Sequence, residues 1–73
     1  MRIFNPIKIR ERRRSLKLTQ AELAQKACTA RVYIIELEQG RKIPKATMIA
    51  KIAYALRVKE SYFFADNGSK SLQ

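Results

Sequence analysis

The chain has 73 residues, of which 47% are hydrophobic, and this size and composition suit one small globular domain. Its 16 lysines and arginines against 6 acidic residues give a net charge of +10, which predicts a polyanionic partner. A single cysteine and no histidine exclude an internal disulfide, the usual zinc sites and a Ser-His-Asp triad, so we expect no enzymatic activity, no metal and no cofactor.

The distribution of apolar and basic residues indicates where the protein is located in the cell and where its positive charge is concentrated. No apolar run reaches the roughly 18 to 20 residues that cross a bilayer, and residues 1–14 are too basic for the core of a signal peptide. We expect a cytoplasmic protein that contacts neither a membrane nor a small-molecule ligand. Residues 1–17 and 41–60 carry most of the positive charge, whereas residues 18–40 are nearly neutral. Two basic flanks therefore enclose a neutral centre.

The first two predicted helices have clear starting signals. Asn5 followed by Pro6 is typical of a helix start, because asparagine caps free N–H groups and proline fits the first helical turn. We predict helix 1 from there to about Leu16. The segment Thr19-Gln20-Ala21-Glu22 is a capping box, which predicts helix 2 from Gln20 to about Ala27.

The rest of the chain is also predicted to be helical. Helix 3 begins near Ala30 after a turn of about three residues, and a turn that short makes helices 2 and 3 cross steeply. It ends before Gly40. Apolar spacing predicts helix 4 over residues 45–56 and a last short helix over residues 60–64, and no segment alternates like a strand. Residues 66–73 form a polar tail.

Three segments together resemble the Cro/cI (XRE) helix-turn-helix family of lambda-repressor-like proteins. They are Leu18–Ala27, read as LTQAELAQKA, the pair Tyr33-Ile34, and Leu37–Gly40, read as LEQG. The resemblance continues over residues 6–64. It implies an all-α fold for residues 1–65, a compact five-helix bundle in which helices 2 and 3 bind DNA.

The chain departs from the family where helices end. The family usually has glycine at the positions of Lys17, Cys28 and Arg57, each just after a helix, where a left-handed backbone is common. A non-glycine residue in that conformation costs about 1 to 2 kcal/mol. Either these ends are built differently or the domain tolerates strain. Because Ala30 replaces the family's frequent serine, we predict that Thr29 caps helix 3.

The resemblance places helix 3 in the major groove of DNA. Arg31 is the strongest candidate, since its guanidinium can donate two hydrogen bonds to guanine. Glu36 either accepts a hydrogen bond from cytosine N4 or pairs with a neighbouring arginine, and Ile35 faces either a base methyl group or a dimer seam. The predicted base contacts are Ala30, Arg31, Val32, Ile35, Glu36 and Gln39.

Other polar residues are assigned to the DNA backbone or to the architecture. By resemblance, Gln20 contacts a phosphate, and Arg13 and Glu38 form an ion pair between helices 1 and 3. Arg10, Arg12 and Arg14 are either plain surface charges or further phosphate contacts. The predicted phosphate contacts are Gln20, Tyr33, Arg41, Lys42 and Lys45.

The predicted assembly follows from two adjacent aromatic residues. A short helix buries both Phe63 and Phe64 in its own core only with difficulty, so we predict that one of them is shared with a second subunit, and both are candidates for a homodimer interface. The favoured function is a homodimeric repressor that binds a palindromic operator in double-stranded DNA. The alternatives are an antitoxin that regulates its own gene and a cationic peptide on a membrane surface. Arg13 argues against the peptide, because it interrupts the apolar face of helix 1.

Overall fold

The structure is a computed structural model that describes residues 2–66. In this part of the chain, four α-helices, one 3₁₀ turn and a two-stranded antiparallel sheet follow one another. None of these helices is long and apolar enough to cross a membrane. From position 67 onward, the predicted polar tail lies outside the described residues. The elements are β1 (Arg2–Phe4), α1 (Pro6–Ser15), α2 (Gln20–Lys26), α3 (Arg31–Glu38), α4 (Ala46–Leu56), the 3₁₀ turn (Glu60–Phe63) and β2 (Phe64–Asp66).

The predicted signals at the starts of helices are confirmed for α1 and α2. The Asn5 side chain accepts from the N–H of Ile7 at 3.1 Å, and both bonds of the capping box between Thr19 and Glu22 are present. The predicted cap of α3 is wrong, because Ala30 occupies the cap position and makes no side-chain hydrogen bond. Thr29 lies one residue too early, where its N–H closes the end of α2.

The predicted fifth helix is also wrong. Residues Glu60–Phe63 form a single 3₁₀ turn, and the chain then becomes extended at Phe64. It pairs there with β1 in the register Phe4 with Phe64, and the two rings meet edge to face at 5.9 Å between centroids. Each strand has only three residues, too few for an alternating pattern to be seen in the sequence. The short sheet pairs backbone groups near both ends of the described chain.

Apolar residues from all four helices and the 3₁₀ turn form one core. Phe63 is 1% exposed and lies in this core, so it has little surface to offer a partner, and the dimer interface stays a prediction. The half-buried Phe64 packs against the edge of the core. Complete burial of a large apolar side chain stabilises the folded state by roughly 1.5 to 3 kcal/mol. The most completely buried side chains are Ile9, Leu23, Ile34, Leu37, Ile52, Leu56 and Phe63.

All four helices end in the same way. In each case a backbone N–H reaches back five residues to a helix carbonyl at 2.9 to 3.0 Å, after one residue with positive φ. That residue is Gly40 after α3, but Lys17, Cys28 and Arg57 after the other three, with φ between 57° and 60°. The domain therefore tolerates the strain rather than building these ends differently.

A buried carboxylate joins the first three helices. Glu38 on α3 is 4% exposed and accepts two hydrogen bonds from Arg13 on α1, at 2.7 and 3.1 Å. The amide of Gln20, the first residue of α2, donates to the same carboxylate at 3.1 Å, and the guanidinium of Arg10 lies 3.5 Å away. Arg13 also donates to the carbonyl of Leu18 at 2.8 Å. One acidic group thus receives bonds or charge from two neighbouring helices.

The surroundings of Glu38 change its pKa in opposite directions. Burial alone raises the pKa of this carboxyl, because a charged group is less stable away from water. Hydrogen bonding from Arg13, Gln20 and Arg10, together with the charge of Arg13, outweighs burial, so the pKa of Glu38 lies below its ordinary value. The carboxylate therefore stays ionised in the folded protein at neutral pH.

The strain at Cys28 gives a prediction for stability. Replacing this residue with glycine removes a Cβ from a left-handed position, and the gain exceeds the entropy that glycine adds to the unfolded chain. We expect Cys28→Gly to raise the free energy of unfolding by about 1 kcal/mol, measured by urea denaturation. Cys28→Ala keeps the Cβ and is the matched control, with little expected gain. Equal stability of the two variants would contradict the interpretation.

The buried carboxylate gives a second prediction. Glu38→Gln leaves Arg13 without its counter-charge and should lower the free energy of unfolding by about 3 kcal/mol at pH 7. Because the pKa of Glu38 is lowered in the folded state, its contribution is complete above the ordinary value of 4.5 and is lost as the pH falls below it. The difference between wild type and variant should therefore narrow in acid, as followed by urea denaturation from pH 7 to pH 3.

Glu11→Gln is the control for this experiment. Glu11 is an exposed acidic residue in the middle of α1, and its removal should change stability by less than about 0.5 kcal/mol. A Glu38→Gln variant as stable as the wild type would show that the buried pair does not hold these helices together. So would a stability difference that does not change with pH.

Candidate nucleic-acid interface

Helices α2 and α3 pack against each other across a short turn, and α3 has two distinct faces. Its inner face places Ile34 and Leu37 in the core together with the carboxylate of Glu38. Its outer face begins with Arg31, which is exposed, and Val32, which is 58% exposed. The first turn of α3 therefore presents a guanidinium and an apolar side chain to the outside of the molecule.

The predicted base-contacting residues all reach the surface of this region, though to different degrees. Ala30, Arg31, Val32 and Gln39 are exposed, whereas Ile35 and Glu36 are half-buried. The carboxylate of Glu36 lies 3.6 Å from the ammonium group of Lys42 in the loop after α3, so its ion-pair partner among residues 2–66 is a lysine and not an arginine. The same ammonium group lies 5.8 Å from the centre of the Tyr33 ring. These contacts link the loop to the outer face of α3.

The predicted phosphate contacts lie on both sides of α3. Gln20 is half-buried, and its amide is held by Glu38 as described above. Arg41, Lys42 and Lys45 are exposed in the loop between α3 and α4. Ile43 stands among these cations and is 84% exposed, although its neighbour Pro44 is buried. The loop thus places three positive charges and one apolar side chain beside the outer face of α3.

A groove of about 670 Å³ opens where α1, α2 and α3 meet. Among residues 2–66, no acidic side chain lines it. Of its five cations, Arg10 and Arg13 pair with Glu38, whereas Arg14, Lys17 and Arg31 have no carboxylate partner within residues 2–66. The lining residues are Arg10, Arg13, Arg14, Lys17, Leu18, Thr19, Gln20, Ala21 and Arg31.

Sequence reasoning placed only part of this groove. The sequence predicts Gln20 and Arg31 as DNA contacts and leaves Arg14 as either a surface charge or a phosphate contact, but it marks Lys17 only as an unusual helix end. The sequence signal at Lys17 is a cation at a position that favours glycine.

Within residues 2–66, no three acidic, cysteine or histidine residues come close enough to hold a metal ion. The surface is built from hydrogen-bond donors and positive charges, which suit phosphate oxygens and the acceptor edges of bases.

Several known proteins are similar to this chain in sequence or in fold. An uncharacterised HTH-type transcriptional regulator of Methanothermobacter thermautotrophicus is 38% identical over 65 residues, which cover 85% of this chain and 94% of that protein. The restriction-modification controller protein C.AhdI of Aeromonas hydrophila superposes with a TM-score of 0.79 at 29% identity, covering 81% of this chain and 89% of the other. The P22 c2 repressor, solved in complex with a synthetic operator, gives 0.77 at 28% identity, covering 80% and 88%.

The match to a known family extends over most of the chain. Residues 9–63 match the helix-turn-helix family HTH_3, and this range runs from the first core residue of α1 to the last residue of the 3₁₀ turn. It includes α2 and α3, the two helices that carry the exposed Arg31 and the half-buried Gln20. The protein therefore belongs to the helix-turn-helix family of Cro/cI (XRE) type, whose members are DNA-binding transcriptional regulators.

Proposed function

We propose that this protein is a sequence-specific transcriptional repressor that binds double-stranded DNA through α3 in the major groove. The observation that carries the proposal is the division of α3 into two faces. Ile34 and Leu37 are completely buried and fix the helix in the fold, while Arg31 and Val32 at its start are free to meet a base pair. A helix held in this way is a rigid support for base recognition.

The proposed base contacts are chosen by chemistry. Arg31 donates two hydrogen bonds to O6 and N7 of guanine, and Val32 packs on the methyl group of thymine. Glu36 accepts from N4 of cytosine, and Lys42 balances its charge in the free protein. Ala30, Ile35 and Gln39 complete this surface.

The proposed backbone contacts lie on both sides of the recognition helix. They are Gln20 at the start of α2, Tyr33 on α3 itself, and Arg41, Lys42 and Lys45 between α3 and α4. Each cation that neutralises a phosphate releases counterions and increases the dependence of affinity on salt. The positive charge on this surface supports a DNA ligand of this kind.

We propose further that two copies bind a palindromic operator with half-sites about one turn of DNA apart. With Phe63 in the core, Phe64 is the remaining candidate of the pair for the dimer interface. It is half-buried and lies on β2, in contact with Phe4 on the neighbouring strand. The P22 c2 repressor bound to its synthetic operator supports the comparison with an operator-binding repressor.

Selection from random oligonucleotides, followed by binding titrations, tests this function. We expect a recovered motif with twofold symmetry and guanine at one position of each half-site. Arg31→Ala should abolish the preference for that guanine, at a cost of about 2 kcal/mol or roughly 30-fold in affinity for each half-site. Discrimination at the other positions should remain.

Lys51→Ala is the matched control, because it removes one positive charge from an exposed position on α4. It should leave the base preference unchanged. Binding that ignores sequence in the wild type would contradict sequence-specific recognition. A guanine preference that survives in Arg31→Ala would show that another residue recognises this base.

A further inference from the structure

The groove between α1, α2 and α3 contains more positive charge than the fold requires. Arg10 and Arg13 serve the buried Glu38, but Arg14, Lys17 and Arg31 face the same open space without an acidic partner in residues 2–66. Like charges in one groove repel each other, so their arrangement is unfavourable unless an anion lies between them. Arg31 is assigned to a base by the proposed function. The two cations at the end of α1 have no such assignment.

Lys17 occupies its position at a conformational cost. Its φ of 59° is left-handed, a region that glycine adopts freely and that a side chain makes unfavourable. Strain alone does not distinguish this residue, since Cys28 and Arg57 have the same conformation. Location does, because Lys17 lines the groove whereas Arg57 lines a separate depression with Lys26 and Tyr54.

The anion that fits this groove is a phosphodiester of the DNA backbone. Arg31 lines the same groove and is the first residue of α3, the helix proposed to contact the bases. A duplex whose base contacts Arg31 therefore has backbone phosphates close to the neighbouring cations. Gln20 is part of the same lining, with its amide already oriented by Glu38. The groove can therefore hold the backbone next to the base that Arg31 contacts.

We propose that Lys17, together with Arg14, binds a DNA phosphate in this groove and so extends the contact surface beyond α3 and its following loop. This inference rests on the proposed function and adds a specific backbone contact to it. Lys17 contributes affinity that does not depend on sequence, because a phosphate carries no base information. The lysine side chain thus strengthens DNA binding at the expense of an unstrained helix end.

Two glycine variants separate the effect of Lys17 on DNA from its effect on the fold. Lys17→Gly and Arg57→Gly each remove one positive charge and one left-handed side chain, so both should raise the midpoint of thermal unfolding. Only Lys17→Gly should weaken DNA binding, by about tenfold for each half-site at 0.1 M monovalent salt. The slope of log affinity against log salt should become shallower by about 0.9 for each half-site in Lys17→Gly and stay unchanged in Arg57→Gly.

The same titrations on two duplexes complete the test. One duplex carries the motif recovered by selection, and the other is an unrelated sequence of equal length. Lys17→Gly should weaken both by a similar factor, and Lys17→Arg should restore the wild-type slope. If Lys17→Gly binds like Arg57→Gly, the phosphate contact at Lys17 is wrong even though the proposed function stands. If the wild type fails to distinguish the two duplexes, the proposed function itself fails.

Discussion

The carboxylate of Glu38 is the interaction on which the arrangement of α1, α2 and α3 depends. It sits at the last residue of α3, yet it receives hydrogen bonds from the last turn of α1 and from the first residue of α2. A buried charge is tolerated only when enough donors surround it, and here two arginines and one amide do so. The groove lies directly beside these donors, so the group that joins the helices also orients residues on the surface.

The four helices end in the same backbone conformation although their sequences differ. Each helix closes with the same hydrogen bond reaching back five residues, and each needs a residue in the left-handed region just before the donor. Gly40 fulfils this need without strain, whereas Lys17, Cys28 and Arg57 fulfil it at a cost. The tertiary packing of the four helices is therefore strong enough to impose a local conformation that these side chains disfavour.

Sequence reasoning succeeded where the signal is local and failed where it depends on distant parts of the chain. The capping box at Thr19 and the proline at the start of α1 need only neighbouring residues, and the corresponding helices begin as predicted. The extended conformation of Phe64 depends on β1, some sixty residues earlier, and no local pattern indicates it. The groove is only partly predictable for the same reason, since Lys17 and Arg31 come to line one groove only through the packing of three helices.

The short sheet brings the two ends of the described chain side by side. Arg2 is paired with Asp66, and paired strands lie about 4.8 Å apart. Any segment attached before β1 and any segment attached after β2 therefore leave the domain from the same corner. A short peptide joining these ends would close the backbone into a ring without disturbing the helices, and new ends could then be opened at an exposed loop. The topology thus makes this domain a natural starting point for circular permutation.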